Sequence, residues 1–426
     1  MKFEELNVKP EIIKALTEEG IINPTTIQEK TIPLVHEGKD VIGISRTGSG
    51  KTASFGIPML EKVTKNRGVQ GLILAPTREL ANQIANEMRK WSKYIGLRIA
   101  TVFGGVGFEP QVHAIAQSEI VVGTPGRILD HLSRSTLNLS KLNCMVLDEA
   151  DKMVEMGFIE DIERIMSAMN PESQILLFGA TISKEVDYLK EKYMDNVEIA
   201  EAELHVKKDL LKQYYYNCQV NEKFSLLAYL LKKEETHRVI IFCSKISTVE
   251  LINNNLRNHG FKSEMIHGKM SQNKRLTAID RFNNGKTDLL VASAVAARGL
   301  DIKDVTHVFN YDLAQDAQEY VHRIGRTARA GESGKAITLL ATPDYDAFYA
   351  ILSRYKMEVE ELPKEEFPKL RFEIPQRRGG PFKSSGFNRN SEFRGGPSRG
   401  RNSFHGRNSP GNRFRSVSRD SSIRSY

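Results

Sequence analysis

Five consecutive residues, Gly48-Ser49-Gly50-Lys51-Thr52, put two glycines, two hydroxyls and an amine at the point where a β-branched run, Val41 to Ser45, gives way to a helical pattern. Glycines let the backbone curl so that successive N–H groups face an anion, and the start of a helix adds positive potential. Lys51 would reach the outer phosphates of a nucleoside triphosphate, and the Thr52 hydroxyl is placed to ligate Mg²⁺. Thr47, Gly48, Ser49, Gly50, Lys51 and Thr52 are therefore the expected phosphate contacts. The strict GxxxxGK[ST] pattern asks for glycine at position 45, where this chain has serine. The loop needs support from elsewhere in the chain.

That support is a carboxylate cluster, Asp148-Glu149-Ala150-Asp151, directly after the apolar run Met145 to Leu147. Ligands of open α/β sheets bind at the carboxyl ends of the strands. Asp148 there would hold magnesium through water, and Glu149 would orient and deprotonate an attacking water. Taken alone, the cluster also reads as a helix N-cap with an acidic first turn. Paired with the phosphate loop, it reads as the other half of an ATP-hydrolysing site.

Residues this far apart need a sheet to bring them together. Short apolar runs recur at Val41 to Ser45, Leu72 to Ala75, Arg98 to Phe103, Ile120 to Gly123, Cys144 to Leu147 and Ile175 to Phe178, alternating with amphipathic stretches such as Glu79 to Tyr94. This is the pattern of βαβ units around a buried parallel sheet. It restarts after a charged stretch near Glu201 to Leu211, with strands expected at Val239 to Cys243, Leu289 to Ala292, His307 to Phe309 and Ala336 to Leu340. Similar periodicity in two halves suggests related folds without a literal sequence repeat.

The 426 residues suit two domains and an appendage. From Gln376 onward, eleven arginines and Lys383 face only Glu392 and Asp420, a net +10, which leaves −2 for the rest of a chain whose total is +8. The basic character thus belongs to an Arg/Gly-rich tail, which cannot bury enough apolar surface to order itself. Its arginines alternate with Phe382, Phe387, Phe393, Phe404 and Phe414, offering charge to phosphates and flat rings to unpaired bases. Cys144, Cys218 and Cys243 form no CxxC, so neither a disulfide framework nor a zinc site is indicated. The N-terminus has no apolar targeting segment, and nowhere do 18 apolar residues run together. A cytoplasmic, non-membrane protein is expected, and with no oligomerisation element evident, a monomer.

With TGSGKT and Asp148 to Asp151 in place, the chain resembles the DEAD-box ATP-dependent RNA helicases over about residues 1 to 365. The resemblance implies two tandem RecA-like α/β domains, each a mostly parallel sheet flanked by helices. The expected spans are 1–203, a linker at 204–211, a second domain at 212–365, and a linker and tail at 366–426. Gly20, Pro24, Thr25 and Gln28 match the family's Q motif, where the glutamine bonds adenine and an upstream aromatic, here Phe3, stacks on it. Read without the family, Phe3 and Ile27 are a helix staple. The resemblance makes RNA contacts of Pro76, Thr77 and Arg78, of Gly105, and of Thr124, Pro125 and Arg127. In the second domain it does the same for Gly268, Gln272, Arg275 and Ser293. It assigns Asp301 to the ATP ribose, and Arg326 and Arg329 to the γ-phosphate as fingers that reach across the cleft when the domains close.

Two departures stand out. The family's Ser-Ala-Thr is Gly179-Ala180-Thr181 here, and its Thr-Asp is Ser293-Ala294. The first removes a hydroxyl and the second a carboxylate from segments that link hydrolysis to closure, so ATP chemistry is expected to survive with its coupling to strand separation weakened or rewired. The expected function is an ATPase that binds single-stranded RNA across two domains, with ATP and Mg²⁺ as cofactors, and remodels short duplexes. An ATP-gated RNA clamp and a DNA helicase remain open as alternatives, because sequence alone does not display 2′-OH contacts.

Overall fold

The computed structural model describes residues 1–45, 48–202, 210–234, 236–297, 302, 304–328, 333–355 and 357–374. Thr47, Asp301, Arg329 and the Arg/Gly-rich tail lie outside these described residues.

The first lobe is built on β1 (Val41–Ile44), β2 (Gly71–Leu74), β3 (Ile99–Val102), β4 (Ile120–Gly123), β5 (Cys144–Asp148), β6 (Gln174–Gly179) and β7 (Glu198–Glu201). They form one seven-stranded sheet in the order β3-β4-β2-β5-β6-β1-β7, and every pairing is parallel. The second lobe carries β8 (Leu211–Asn217), β9 (Val239–Cys243), β10 (Ser263–Ile266), β11 (Leu289–Ser293), β12 (His307–Asn310), β13 (Gly334–Leu340) and β14 (Glu360–Glu361). Its order is β10-β11-β9-β12-β13-β8-β14, again all parallel. Counted from its own first strand, this is the order of the first lobe. The two halves thus share one topology without sharing a sequence repeat.

The inner strands are buried along their whole length because helices cover both faces of each sheet. One apolar cluster, with Phe55, Ile73, Val122 and Phe178, fills one side of the first sheet, and another, with Leu72, Val121, Leu147 and Leu177, fills the other. A run read as continuously apolar is therefore correct for a strand with no solvent face. Every strand expected from the sequence is present. The strands absent from that expectation are the edges β7 and β14, the strand β10, and β8, which starts at Leu211 inside the expected linker. Glu198 and Glu201 put charge on the edge strand β7, which hides it from a search for apolar runs and discourages edge pairing with another chain.

The second lobe also extends past its expected end at residue 365. Residues 357–374 form a strap along it: Phe367, Leu370 and Phe372 pack on the cluster of Phe224, Leu227 and Leu256, with the Phe224 and Phe372 rings 5.1 Å apart. Glu365 accepts from Tyr216 Oη at 2.7 Å, Tyr229 Oη at 2.9 Å and Lys233 Nζ at 2.5 Å. Glu373 exchanges backbone bonds with the Asn255 side chain at 2.7 and 2.9 Å. Residues 366–373 are therefore part of the lobe rather than a linker. The strap is extended and Pro-punctuated, so its apolar residues follow neither the strand nor the helix period.

Candidate active site

Register decides which residues meet at the carboxyl ends of the first sheet. Asp148 pairs with Phe178, and Ile44 with Gly179, across β5-β6-β1. The carboxylate cluster, Gly179-Ala180-Thr181 and the phosphate loop therefore emerge side by side. The neighbouring trio β3-β4-β2 sends out Gly104-Gly105, Thr124-Pro125 and Pro76-Thr77. One edge of one sheet thus carries two adjacent sets of loops.

The phosphate loop is held from two directions. Ser45, which breaks the strict pattern, is buried with its Oγ 2.7 Å from Ser49 Oγ, and its carbonyl accepts from Lys51 Nζ at 2.5 Å. A hydroxyl thus braces the loop where the usual pattern has a glycine. Gln28 supports it from outside: Nε2 donates to Gly50 O at 2.9 Å, while Oε1 accepts from Thr25 N at 3.0 Å at the start of the helix Thr26–His36. Gly50 has φ +93°, and a Cβ there would overlap the Gln28 amide, so this position requires glycine. Phe3 does not join this group. Its ring is 1% exposed and packs with Leu6, Val8 and Ile27, leaving no face for a base. The short turn Phe3–Leu6 folds inward against the helix Thr26–His36, the placement that the staple reading expects.

Two buried acids sit next to each other. Asp148 is 3% exposed and accepts from the Glu149 backbone N at 3.0 Å. Burial, reinforced by the Glu149 charge, pushes its carboxyl up to about 7. Glu149 goes the other way: burial would raise it, but the charges of Lys152, Arg326 and Lys51 bring it down to about 2. Lys152 Nζ lies 2.7 Å from Glu149 Oε1, whereas Oε2 is buried without a hydrogen-bond partner. Glu149 also holds left-handed backbone, φ 56° and ψ 48°, a strain of about 1–3 kcal/mol for a non-glycine residue. An ionised carboxylate with one oxygen anchored and the other vacant is suited to orient a water and accept its proton. Burial lowers the Lys51 ammonium, with Asp148 and Glu149 opposing that shift.

Asp151 has a different task. Its Oδ2 accepts from Ala180 N at 3.0 Å, Thr181 N at 3.1 Å and Thr181 Oγ1 at 3.2 Å. The link between the carboxylate cluster and the segment after β6 is thus made without a side chain at 179.

In the adjacent loops, Thr77 Oγ1 caps the helix Arg78–Trp91 through Leu80 N at 3.3 Å. Arg78 lies against Gly104 and Gly105, and a Cβ on Gly105, at φ +81°, would overlap its guanidinium. Pro125 opens the helix Pro125–Ser133 behind Thr124. Arg127 Nη1 reaches Val106 O at 3.4 Å, and its guanidinium lies 5.7 Å from the Phe108 ring. Arg78, Gly105, Thr124, Pro125 and Arg127 therefore share this edge. In the second lobe Gly268 is exposed and Ser293 ends β11.

Gln272 and Arg275 depart from expectation. Gln272 Nε2 donates to Glu79 Oε1 at 2.9 Å and Arg275 Nε lies 3.2 Å from the same oxygen, so both hold a buried acid of the first lobe. In this structure they clasp the two lobes together rather than stand open to a ligand. Gln318 makes a second such contact with Glu155. Arg326, in the turn after the helix Ala317–Ile324, is 3% exposed and close enough across the cleft to lower the Glu149 carboxyl. Sequence reasoning missed Lys152 and Glu79. The i,i+3 spacing of Glu149 and Lys152 was a readable signal, whereas the Glu79 clasp joins residues 193 apart and left none.

The DEAD/DEAH box helicase family model matches residues 25–189, and the helicase conserved C-terminal domain model matches 222–331. A protein of Geobacillus kaustophilus named DEAD-box ATP-dependent RNA helicase CshA is 42% identical over 363 residues, covering 84% of this chain and 78% of that protein. This chain belongs to the DEAD-box helicases. An ATP-dependent RNA helicase CshA of Listeria monocytogenes is 45% identical over 342 residues, 80% of this DEAD-box chain and 66% of that protein. Among solved structures, S. cerevisiae Dbp5 bound to RNA and ADP BeF3 superposes with a TM-score of 0.78 at 30% identity, covering 85% of this chain and 95% of that one. A DEAD box protein from the hyperthermophile Methanococcus jannaschii gives 0.54 at 41% identity, with 85% and 99% covered. The fuller superposition is thus with the RNA- and nucleotide-bound neighbour despite its lower identity. Among the described residues, no helix is long and apolar enough to cross a membrane.

Proposed function

We propose that this DEAD-box chain is an RNA-stimulated ATPase that uses closure of its two lobes to melt or remodel short RNA duplexes and RNA–protein complexes. The observation that carries this reading is Glu149, ionised and with Oε2 unpartnered, within electrostatic reach of Arg326 from the opposite lobe. A site completed by two lobes hydrolyses ATP only when they meet, and a strand bound across both makes them meet. The relatives' names and the RNA held by Dbp5 support RNA as that strand.

In this mechanism Gly48, Ser49, Gly50 and Lys51 cradle the phosphates, and Lys51 offsets their charge. After its two internal bonds the Gln28 amide keeps one N–H and one lone pair, the complement of an adenine edge. Glu149 aligns the attacking water and takes its proton. Arg326, and Arg329 by the family resemblance, stabilise charge that grows on the γ-phosphate, and Asp301 holds the ribose. Thr52 and Asp148 would hold Mg²⁺, which when bound neutralises phosphate charge. The fit is chemical: two adjacent buried carboxyls force Asp148 toward neutrality, a tension that a divalent cation relieves.

Pro76, Thr77, Arg78, Gly105, Thr124, Pro125 and Arg127 grip one stretch of the RNA backbone, and Gly268 and Ser293 the next. Residues 1–203 and 211 to the end of the strap are the two motor domains, and the tail tethers RNA through arginine and phenylalanine. The protein acts as a cytoplasmic monomer. The test is release of a short RNA duplex with ATP and with a nonhydrolysable analogue. Repeated release that needs hydrolysis supports the motor, whereas RNA binding without turnover of release would make it a clamp.

A further inference from the structure

Arg323 is 2% exposed on the helix Ala317–Ile324, and a guanidinium cannot shed its proton to relieve burial. Its Nη1 donates to Asp312 O at 2.6 Å, its Nη2 pairs with the Glu319 carboxylate one turn earlier, and its Cζ lies 5.3 Å from the centroid of the Phe242 ring in β9. Nε is buried with no hydrogen-bond partner among the described residues. A narrow cavity beside this pair is lined by Glu319, His322, Arg323 and Arg326 together with Ala294 and Ala297. Among the described residues that line it, Glu319 is the one acid. Arg326 follows in the next turn, its N donating to Arg323 O at 3.1 Å. Whatever fixes Arg323 therefore fixes the turn that carries Arg326 toward the first lobe.

We propose that Glu319 is a positioning residue for Arg326: its carboxylate is the counter-ion that docks Arg323, and with it the finger-bearing turn, in a pocket where position 294 supplies no charge. This rests on reading Arg326 as the trans-acting finger. Removing one partner of a buried ion pair leaves an uncompensated charge, so Glu319→Ala should let Arg323 and the following turn relax out of place. Because Ala294 lines the same cavity, an aspartate there would place a carboxylate beside the Arg323 guanidinium and supply a counter-charge from a second element.

The experiment uses the full chain as wild type, Glu319→Ala, Ala294→Asp and the double variant, with RNA-stimulated ATP turnover resolved into kcat and KM, and a thermal melt for each. Glu319→Ala is expected to lower kcat at least about tenfold while KM for ATP moves less than about threefold, because the first-lobe site is untouched. Ala294→Asp in the Glu319→Ala background should recover kcat to within about threefold of wild type, a coupling that independent sites would not show. If Glu319→Ala fails to fold, a folded and active double variant supports the proposal equally. Wild-type kcat in Glu319→Ala, or a double variant no better than the single, would overturn it. Arg326→Ala run alongside separates the premises: wild-type turnover there sinks the finger reading, whereas the rescue reports on Glu319.

Discussion

Replacing Glu79 with alanine removes the acid that joins the lobes without touching any atom of the nucleotide site. Glu79 is 6% exposed, and one oxygen serves Gln272 at 2.9 Å and Arg275 at 3.2 Å. One hydrogen bond and one ion pair to a buried charged group, less the cost of the partners re-solvating when the lobes part, are worth about 2–3 kcal/mol to the closed arrangement, roughly 30- to 150-fold in the closure equilibrium. The concentration of RNA that half-saturates ATP turnover should rise by that factor. Nucleotide binding in the absence of RNA should stay within about twofold, because it is a first-lobe property. Glu79→Gln, which keeps an acceptor for Gln272 but loses the charge facing Arg275, should fall between. An RNA titration monitored by phosphate release provides the assay. A Glu79→Ala protein with the wild-type melting temperature and wild-type RNA dependence would refute the clasp.

The folded state holds the Asp148 carboxyl near 7, above its unfolded value of about 3.9, so native protein binds more protons between those values and stability falls as pH rises through that window. In urea melts without nucleotide or metal, Asp148→Asn should therefore gain at least about 1.4 kcal/mol on wild type between pH 5 and pH 8; a pH-independent difference contradicts the tension between the two acids. Truncation after residue 375 should leave the melting temperature and saturated ATP turnover unchanged while weakening RNA binding most at low salt. Truncation after Leu362 removes Phe367, Leu370 and Phe372 from their seats and should cost about 3 kcal/mol or more of second-lobe stability in a denaturant melt, so equal stability of the two would deny the strap its role. Gly179→Ser should change RNA-stimulated turnover and unwinding per ATP by less than about twofold, since Asp151 already has three donors; a tenfold gain in unwinding would restore the weakened-coupling expectation.

Much of the fold was legible because both sheets are parallel and buried on two faces, so their central strands stand out as apolar runs. The edges were harder to read: charge at Glu198 and Glu201 and the two-residue β14 give no such run. The phosphate loop and carboxylate cluster were legible because their chemistry needs particular residue types at fixed offsets. The burial of Phe3 is not legible, because an aromatic near the nucleotide and an aromatic in the core look alike in one dimension. Gln272 and Arg275 were expected at RNA because polar side chains at a helix start suit phosphates equally well, and only the distant Glu79 shows their engagement. The loss at Gly179 looks costly in sequence, yet two backbone amides, which no side-chain pattern reveals, and the Thr181 hydroxyl do the bonding.

The proposed role of Glu149, a catalytic base that works only in a two-lobe site assembled on RNA, is directly open to measurement. ATP turnover should be measured for the wild type and Glu149→Gln, each with no nucleic acid, with single-stranded RNA, and with DNA of the same sequence. The prediction is a wild-type rate stimulated by RNA well beyond DNA, and a Glu149→Gln rate at saturating RNA reduced by about 10²- to 10⁴-fold with RNA and ATP binding retained. Equal stimulation by DNA, or a Glu149→Gln protein that still turns over within a few fold of wild type, would contradict it.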